Sequence, residues 1–138
     1  MDLKECFGKG HLKRTAVEKG KIENSFVLSD HFLGRARGNL SMDYYDVSFL
    51  MAYNSMLHTA KALLFSRGYS ERSHYCMILL LQSEFKGQVS KFLDILDSYR
   101  IARHSIQYRG GSCAETDAKE AIDDAEKFLE LAKKELKA

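Results

Sequence analysis

Residues 41–66 read SMDYYDVSFLMAYNSMLHTAKALLFS, and this stretch predicts the most deeply buried element of the fold. Apolar side chains recur at three- and four-residue spacing around nearly its whole circumference, which is typical of a helix packed among several neighbours. Ser41 is a suitable N-cap, so we predict a central helix from there to about Ser66. Three polar side chains share one stripe at i, i+4 and i+7: Asn54, His58 and Lys61.

Four further segments with helical spacing flank the central one. They cover about 16–37, 74–85, 88–109 and 117–136, with Ser73 and Thr116 as N-caps of the second and the fourth. Residues 1–19 are basic and irregular, and 68–72 are expected to form a loop. The chain contains no proline, which favours long uninterrupted helices. We therefore predict a single all-α domain over 1–138, an antiparallel bundle of four to five long helices.

Composition limits the classes of function. A net charge of +2 on 138 residues gives no global basic field, so any binding of nucleic acid must use a local patch. The longest apolar run is far shorter than the ~20 residues that cross a bilayer, so we expect no membrane segment. The cysteines, Cys6, Cys76 and Cys113, are odd in number and widely spaced, and they suggest neither a disulfide nor a metal site. A cytoplasmic location is the expectation that follows.

The segment 98–109, SYRIARHSIQYR, breaks the apolar pattern of its own helix. An apolar stripe begins with Val89, Phe92, Leu93 and Leu96. Continued at the same spacing, it reaches Arg100, Arg103 and Gln107, with His104 and Tyr108 beside it. Desolvating a charge without a partner is costly. The last two turns of this helix are therefore the strongest candidate for a binding site.

The residue types in this segment suit recognition of phosphate. Arg103 can direct two hydrogen bonds at a phosphate group. Histidine exchanges protons near neutral pH, and His104 lies four residues before Tyr108 on the helix. This chemistry would support binding or cleavage of RNA. The alternative remains that Arg100 and Arg103 pair with carboxylates, for which the candidates are Asp46, Asp94 and Asp97. No motif indicates a metal or another cofactor.

Four stretches in order resemble the HEPN-domain family, and in particular its small stand-alone archaeal and bacterial members. Residues 52–64, AYNSMLHTAKALL, are similar to the family's Ala-Tyr-Tyr-Ala-x-Phe-His-Ala-Ala-x-Ala-Leu-Leu helix. Residues 68–74, GYSERSH, resemble the loop before the next helix, and 103–108, RHSIQY, occupy the position of the family signature. Residues 118–129, AKEAIDDAEKFL, resemble the final helix. The resemblance covers roughly residues 20–136.

This resemblance implies specific roles for residues of the signature helix. In active relatives an arginine, often followed by a polar residue, precedes a histidine by four to six intervening positions. Here Arg103 fits the arginine and His104 the polar place, while Tyr108 stands where the histidine is expected. The catalytic positions implied are thus Arg103, His104 and Tyr108, in a degraded signature. The residues expected to contact RNA or nucleotide are Arg100, Arg103, Gln107, Arg109 and His58.

The resemblance also implies partners. It predicts a homodimer in which two signature helices line one cleft, and it suggests a toxin–antitoxin or defence component encoded with a minimal nucleotidyltransferase. Three functions follow as hypotheses. The first is an RNA- or nucleotide-binding protein with weak or no cleavage. The second is an active metal-independent ribonuclease toxin, and the third is a non-catalytic adaptor for the nucleotidyltransferase.

Overall fold

A computed structural model describes residues 1–108 and 110–137, without the side chain of Tyr108. The described elements, in chain order, are α1 (Leu3–Gly8), β1 (Leu12–Arg14), α2 (Lys19–Ser41), α3 (Tyr45–Ser66), β2 (Tyr69–Glu71), α4 (His74–Glu84), α5 (Gln88–Tyr108) and α6 (Glu115–Lys137). Four of these helices have 21 to 23 residues. The prediction of an all-α helical bundle with four to five long helices is confirmed.

The central helix of the bundle is α3, as its sequence predicts. It packs against α2, α4, α5 and α6. Its completely buried apolar side chains are Ala52, Tyr53, Met56, Ala60, Ala62, Leu63 and Leu64. Because these residues point in several directions around α3, each neighbouring helix packs against apolar side chains of α3.

Small hydroxyl side chains join α2 to α3. The Ser29 hydroxyl lies 3.0 Å from that of Ser55 and 2.8 Å from that of Thr59, and all three residues are buried. Thr59 also donates to the backbone carbonyl of Ser55. Buried hydroxyl groups are costly unless they are hydrogen-bonded, and these satisfy one another across the helix pair.

The start of α3 differs from the prediction. Ser41 is not its N-cap but the last residue of α2, and its hydroxyl donates to the carbonyl of Gly38 at 2.7 Å. The turn follows at 42–44, where Asp43 adopts φ 62°, and α3 begins at Tyr45. Leu40 packs against the core, so extending α2 past the glycine at 38 partly buries one more apolar side chain. The prediction for α4 is confirmed, since the Ser73 hydroxyl accepts from the Cys76 N–H.

The N-terminal segment is more ordered than its sequence suggests. β1 pairs antiparallel with β2, with Leu12 opposite Glu71 and Arg14 opposite Tyr69, so the expected loop at 68–72 contains a short strand. A disulfide joins Cys6 on α1 to Cys76 on α4, with the Cα atoms 5.8 Å apart. The expectation of no disulfide was wrong. Both connections hold the first 14 residues against the start of α4.

The apolar half of α5 lies in the core, as its spacing predicts. Val89, Phe92, Leu93 and Leu96 are all buried. The stripe then reaches Arg100 and Arg103, which are partly buried. Among the described helices, none is long and apolar enough to cross a membrane.

Candidate functional site

Arg103 lies against the central helix rather than in open solvent. Its guanidinium carbon is 5.3 Å from the centroid of the Tyr53 ring, within the range of a cation–π contact. Its Nε atom is buried and has no hydrogen-bond partner among the described residues. An arginine nitrogen can only donate, so this point of the structure presents a buried donor without an acceptor.

Tyr53, beneath Arg103, has the same property. The residue is 0% exposed, and its hydroxyl has no hydrogen-bond partner within the described part of the chain. Burial raises the pKa of this phenol, although Arg103 and Arg100 oppose the shift. The hydroxyl therefore keeps its proton and can donate it to an acceptor. Two unsatisfied donors thus occur together where α3 and α5 meet.

Arg100, one turn before Arg103, is differently placed. Its Nε donates to the Asp97 carboxylate at 2.9 Å, and its guanidinium carbon lies 5.6 Å from the centroid of the Tyr75 ring on α4. The alternative of pairing with acids therefore holds for Arg100 and Asp97. In the described residues, Arg103 forms no ion pair with any carboxylate.

His74, the first residue of α4, lies beside the same site, because the next residue, Tyr75, packs against Arg100. Burial is the main cause that lowers its pKa, and Lys61, Arg103 and Arg100 lower it further, while Glu71 raises it. His74 is consequently neutral at neutral pH. Beside it, the Lys61 ammonium lies 3.6 Å from the Glu71 carboxylate, whose side chain is only 8% exposed.

These contacts define a group that we call the Arg103 cluster. Its members come from four elements and share contacts or electrostatic influence: Tyr53, Lys61, Glu71, His74, Asp97, Arg100 and Arg103. His74 was not among the site residues predicted from the sequence. The signal that it offered was the position directly after the Ser73 cap, where the first N–H groups of a helix have no partner within the helix.

His58 lies at the edge of the Arg103 cluster. Burial lowers its pKa, and Lys61 and His74 lower it further. Its ring stacks on that of Phe32 from α2, with centroids 5.3 Å apart and planes 6° from parallel. The structure therefore brings this predicted binding residue next to the cluster.

The remaining predicted residues are less closely placed. His104 and Gln107 are exposed on α5. The side chain of Tyr108 and the whole of Arg109 lie outside the described residues. Over the ranges that the structure describes, no group of three or more histidine, cysteine or acidic side chains is arranged to hold a metal ion.

The other side of α5 faces acidic side chains of α6. A cavity of about 420 Å³ lies there, lined in part by Tyr99, Ala102, Ile106 and Cys113, with Asp117 and Glu120 also lining it. The Tyr99 hydroxyl donates to Asp124 at 2.5 Å. Carboxylates repel phosphate, so the two faces of α5 are chemically distinct and only the face bearing Arg103 suits an anion.

Together these features define an all-α bundle with a cationic cluster on the signature end of one long helix. The family model of the HEPN domain matches residues 25–136, which is most of the chain. The protein therefore belongs to the HEPN-domain family. No curated protein sequence matches the chain closely enough to give a second comparison.

Proposed function

We propose that this HEPN protein binds RNA or a nucleotide through a phosphate group held by Arg103. The observation that carries this proposal is the buried Nε of Arg103, which has no acceptor among the described residues and lies above the Tyr53 ring. Leaving such a donor unsatisfied costs about 1–3 kcal/mol. A phosphate oxygen would remove that cost, and the planar guanidinium group matches phosphate in shape and charge.

A second copy of the chain is part of the proposal. In the dimer expected from the family resemblance, two signature helices face one cleft and bring two copies of Arg103 to the same strand. The same helix also carries Ile101, an apolar side chain that is 61% exposed in the single chain and lies on a different face of α5 from Arg103. Covering it with a partner helix would remove apolar surface from water.

The biological role that we infer follows the family resemblance. We infer a toxin–antitoxin or defence component that acts with a minimal nucleotidyltransferase. Cleavage is weak or absent, because Tyr108 stands where active relatives carry histidine. The adaptor alternative is favoured by the ion pair that holds Arg100 to Asp97, which gives that arginine a structural role.

The test is binding of a fluorescein-labelled oligoribonucleotide, measured by anisotropy with wild-type protein and with Arg103→Ala. Arg35→Ala removes the same charge from an exposed position of α2 and serves as the matched control. We expect Arg103→Ala to weaken binding by about tenfold or more, because a charge-assisted hydrogen bond contributes about 1.5–3 kcal/mol. The control should bind like the wild type. Equal affinities for all three proteins would refute the role of Arg103.

The cleavage alternative is tested in the same samples. Denaturing gels of the RNA after incubation will show whether the strand remains intact, and we expect intact RNA. Fragments that disappear with His104→Ala would instead establish the metal-independent ribonuclease. Intact RNA with tight binding supports the proposed binding function.

A further inference from the structure

The Arg103 cluster has a simple charge balance. Lys61 is paired with Glu71, and Arg100 is paired with Asp97. Within the cluster Arg103 then supplies one net positive charge, and His74 is neutral in the absence of a ligand. Protonation of His74 would raise the net charge of the cluster to two.

The geometry of the cluster favours an anion with several oxygens. Arg103 lies over Tyr53 of α3, and Arg100 lies over Tyr75 in the first turn of α4, so the three helices converge here. The buried groups that lack partners, the Arg103 Nε and the Tyr53 hydroxyl, are donors. α4 begins at this point, and its N-terminus adds a partial positive charge, although the Cys76 N–H is already bound to the Ser73 hydroxyl.

We propose that His74 completes an anion site on the Arg103 cluster and takes up one proton when a doubly charged phosphate group binds there. This inference rests on the proposed function and specifies its ligand. A phosphodiester carries one negative charge, which Arg103 balances alone. A terminal phosphate carries close to two near neutral pH, and only the cluster with protonated His74 balances it. The preferred ligand is therefore a nucleotide or RNA end with a terminal phosphate.

The surroundings of His74 explain why a ligand would change its protonation. The charged and titratable groups that influence it come from α3, β2 and α5: Lys61, His58, Glu71, Arg100 and Arg103. Burial and the three cations among these groups, Lys61, Arg100 and Arg103, lower the pKa of His74, and a bound anion would oppose their effect. Because binding raises the pKa, affinity for a doubly charged anion must increase as the pH falls.

Sulfate is the probe, because it keeps two negative charges and does not titrate in this pH range. Methyl sulfate is the matched control, with the same tetrahedral shape and one charge. The imidazole resonances of His74 are followed by NMR from pH 5 to 8.5 with each anion at equal ionic strength. We expect saturating sulfate to raise the pKa of His74 by about one unit, which corresponds to about tenfold tighter binding at the acid end. Methyl sulfate should cause a clearly smaller shift.

Variants test whether His74 is the residue that takes up the proton when sulfate binds. His74→Gln keeps a polar side chain but cannot titrate, and we expect it to abolish the pH dependence of sulfate affinity. His31→Gln replaces an exposed histidine on α2 and should leave that dependence unchanged. Arg103→Ala should weaken sulfate binding at every pH. A pKa of His74 that is unmoved by sulfate, or a pH dependence that survives in His74→Gln, would overturn the inference.

This failure can be told apart from failure of the proposed function. If Arg103→Ala loses RNA binding but sulfate leaves His74 unchanged, the function stands and the proton uptake is refuted. If sulfate shifts His74 but Arg103→Ala binds RNA like the wild type, the anion site stands and the RNA-binding function is refuted.

Discussion

Replacing Arg103 with methionine should stabilise the fold while it removes binding. Methionine keeps an unbranched side chain that can pack over the Tyr53 ring, with a favourable sulfur–aromatic contact. The substitution removes the buried Nε donor, whose lack of an acceptor costs about 1–3 kcal/mol. It also removes a cation–π contact that contributes about 0.5–1 kcal/mol. The expected net gain is about 1 kcal/mol in the free energy of unfolding.

For a chain of 138 residues, a gain of that size raises Tm by about 3 °C. Differential scanning calorimetry without ligand gives the value, and anisotropy with labelled RNA gives the accompanying loss of affinity. Arg67→Met is the matched control, because the exposed Arg67 lies 4.4 Å from the centroid of the Phe85 ring. This control exchanges the cation–π contact for a sulfur–aromatic contact without removing a buried unsatisfied donor, and it should lower Tm slightly.

The result that refutes this reasoning is a lower Tm for Arg103→Met, by as much as for Arg67→Met. Arg103 would then stabilise the fold in its own right, and its unsatisfied donor would not indicate a ligand. Tyr53→Phe offers an independent check with the same expected sign, since it removes the second buried donor and retains the ring.

Three further predictions concern the fold. Ser29→Ala should lower the free energy of unfolding by about 2 kcal/mol, because it removes two hydrogen bonds of about 1 kcal/mol each. Ser55→Ala should cost less in the double variant than alone, because its hydrogen bond to Ser29 is already lost. Urea denaturation measures both effects. Because the pKa of His74 is lowered on folding, stability should be full above about pH 6.5 and fall below it, and His74→Gln should reduce that fall in thermal melts. Reducing the bond between Cys6 and Cys76, which closes a loop of about 70 residues, should cost about 4 kcal/mol by chain entropy; melts with and without dithiothreitol test this.

Local sequence patterns predicted most of the helical bundle. The all-round apolar character of α3 and the apolar stripe of α5 correspond to buried faces because burial follows helical periodicity. The Ser73 cap was predictable because its hydrogen bond joins residues only three positions apart. The turn between α2 and α3 was predicted just before Ser41 because glycine and serine are common in turns. The packing of Leu40 against the core instead continues α2 to Ser41.

Features that join distant parts of the chain were not predictable in the same way. The pairing of β1 with β2 involves three-residue strands nearly 60 positions apart, too short for a periodic signal. The disulfide between Cys6 and Cys76 is equally non-local. The candidate site shows the same limit. Arg100 and Arg103 were found from one helix, whereas His74 joined them only through the packing of α4.

The bridge at Cys76 lies two residues after His74 and ties this first turn to the N-terminal segment. Reduction of this bridge would therefore release the first turn of α4, and with it the backbone that carries His74, from the N-terminal segment.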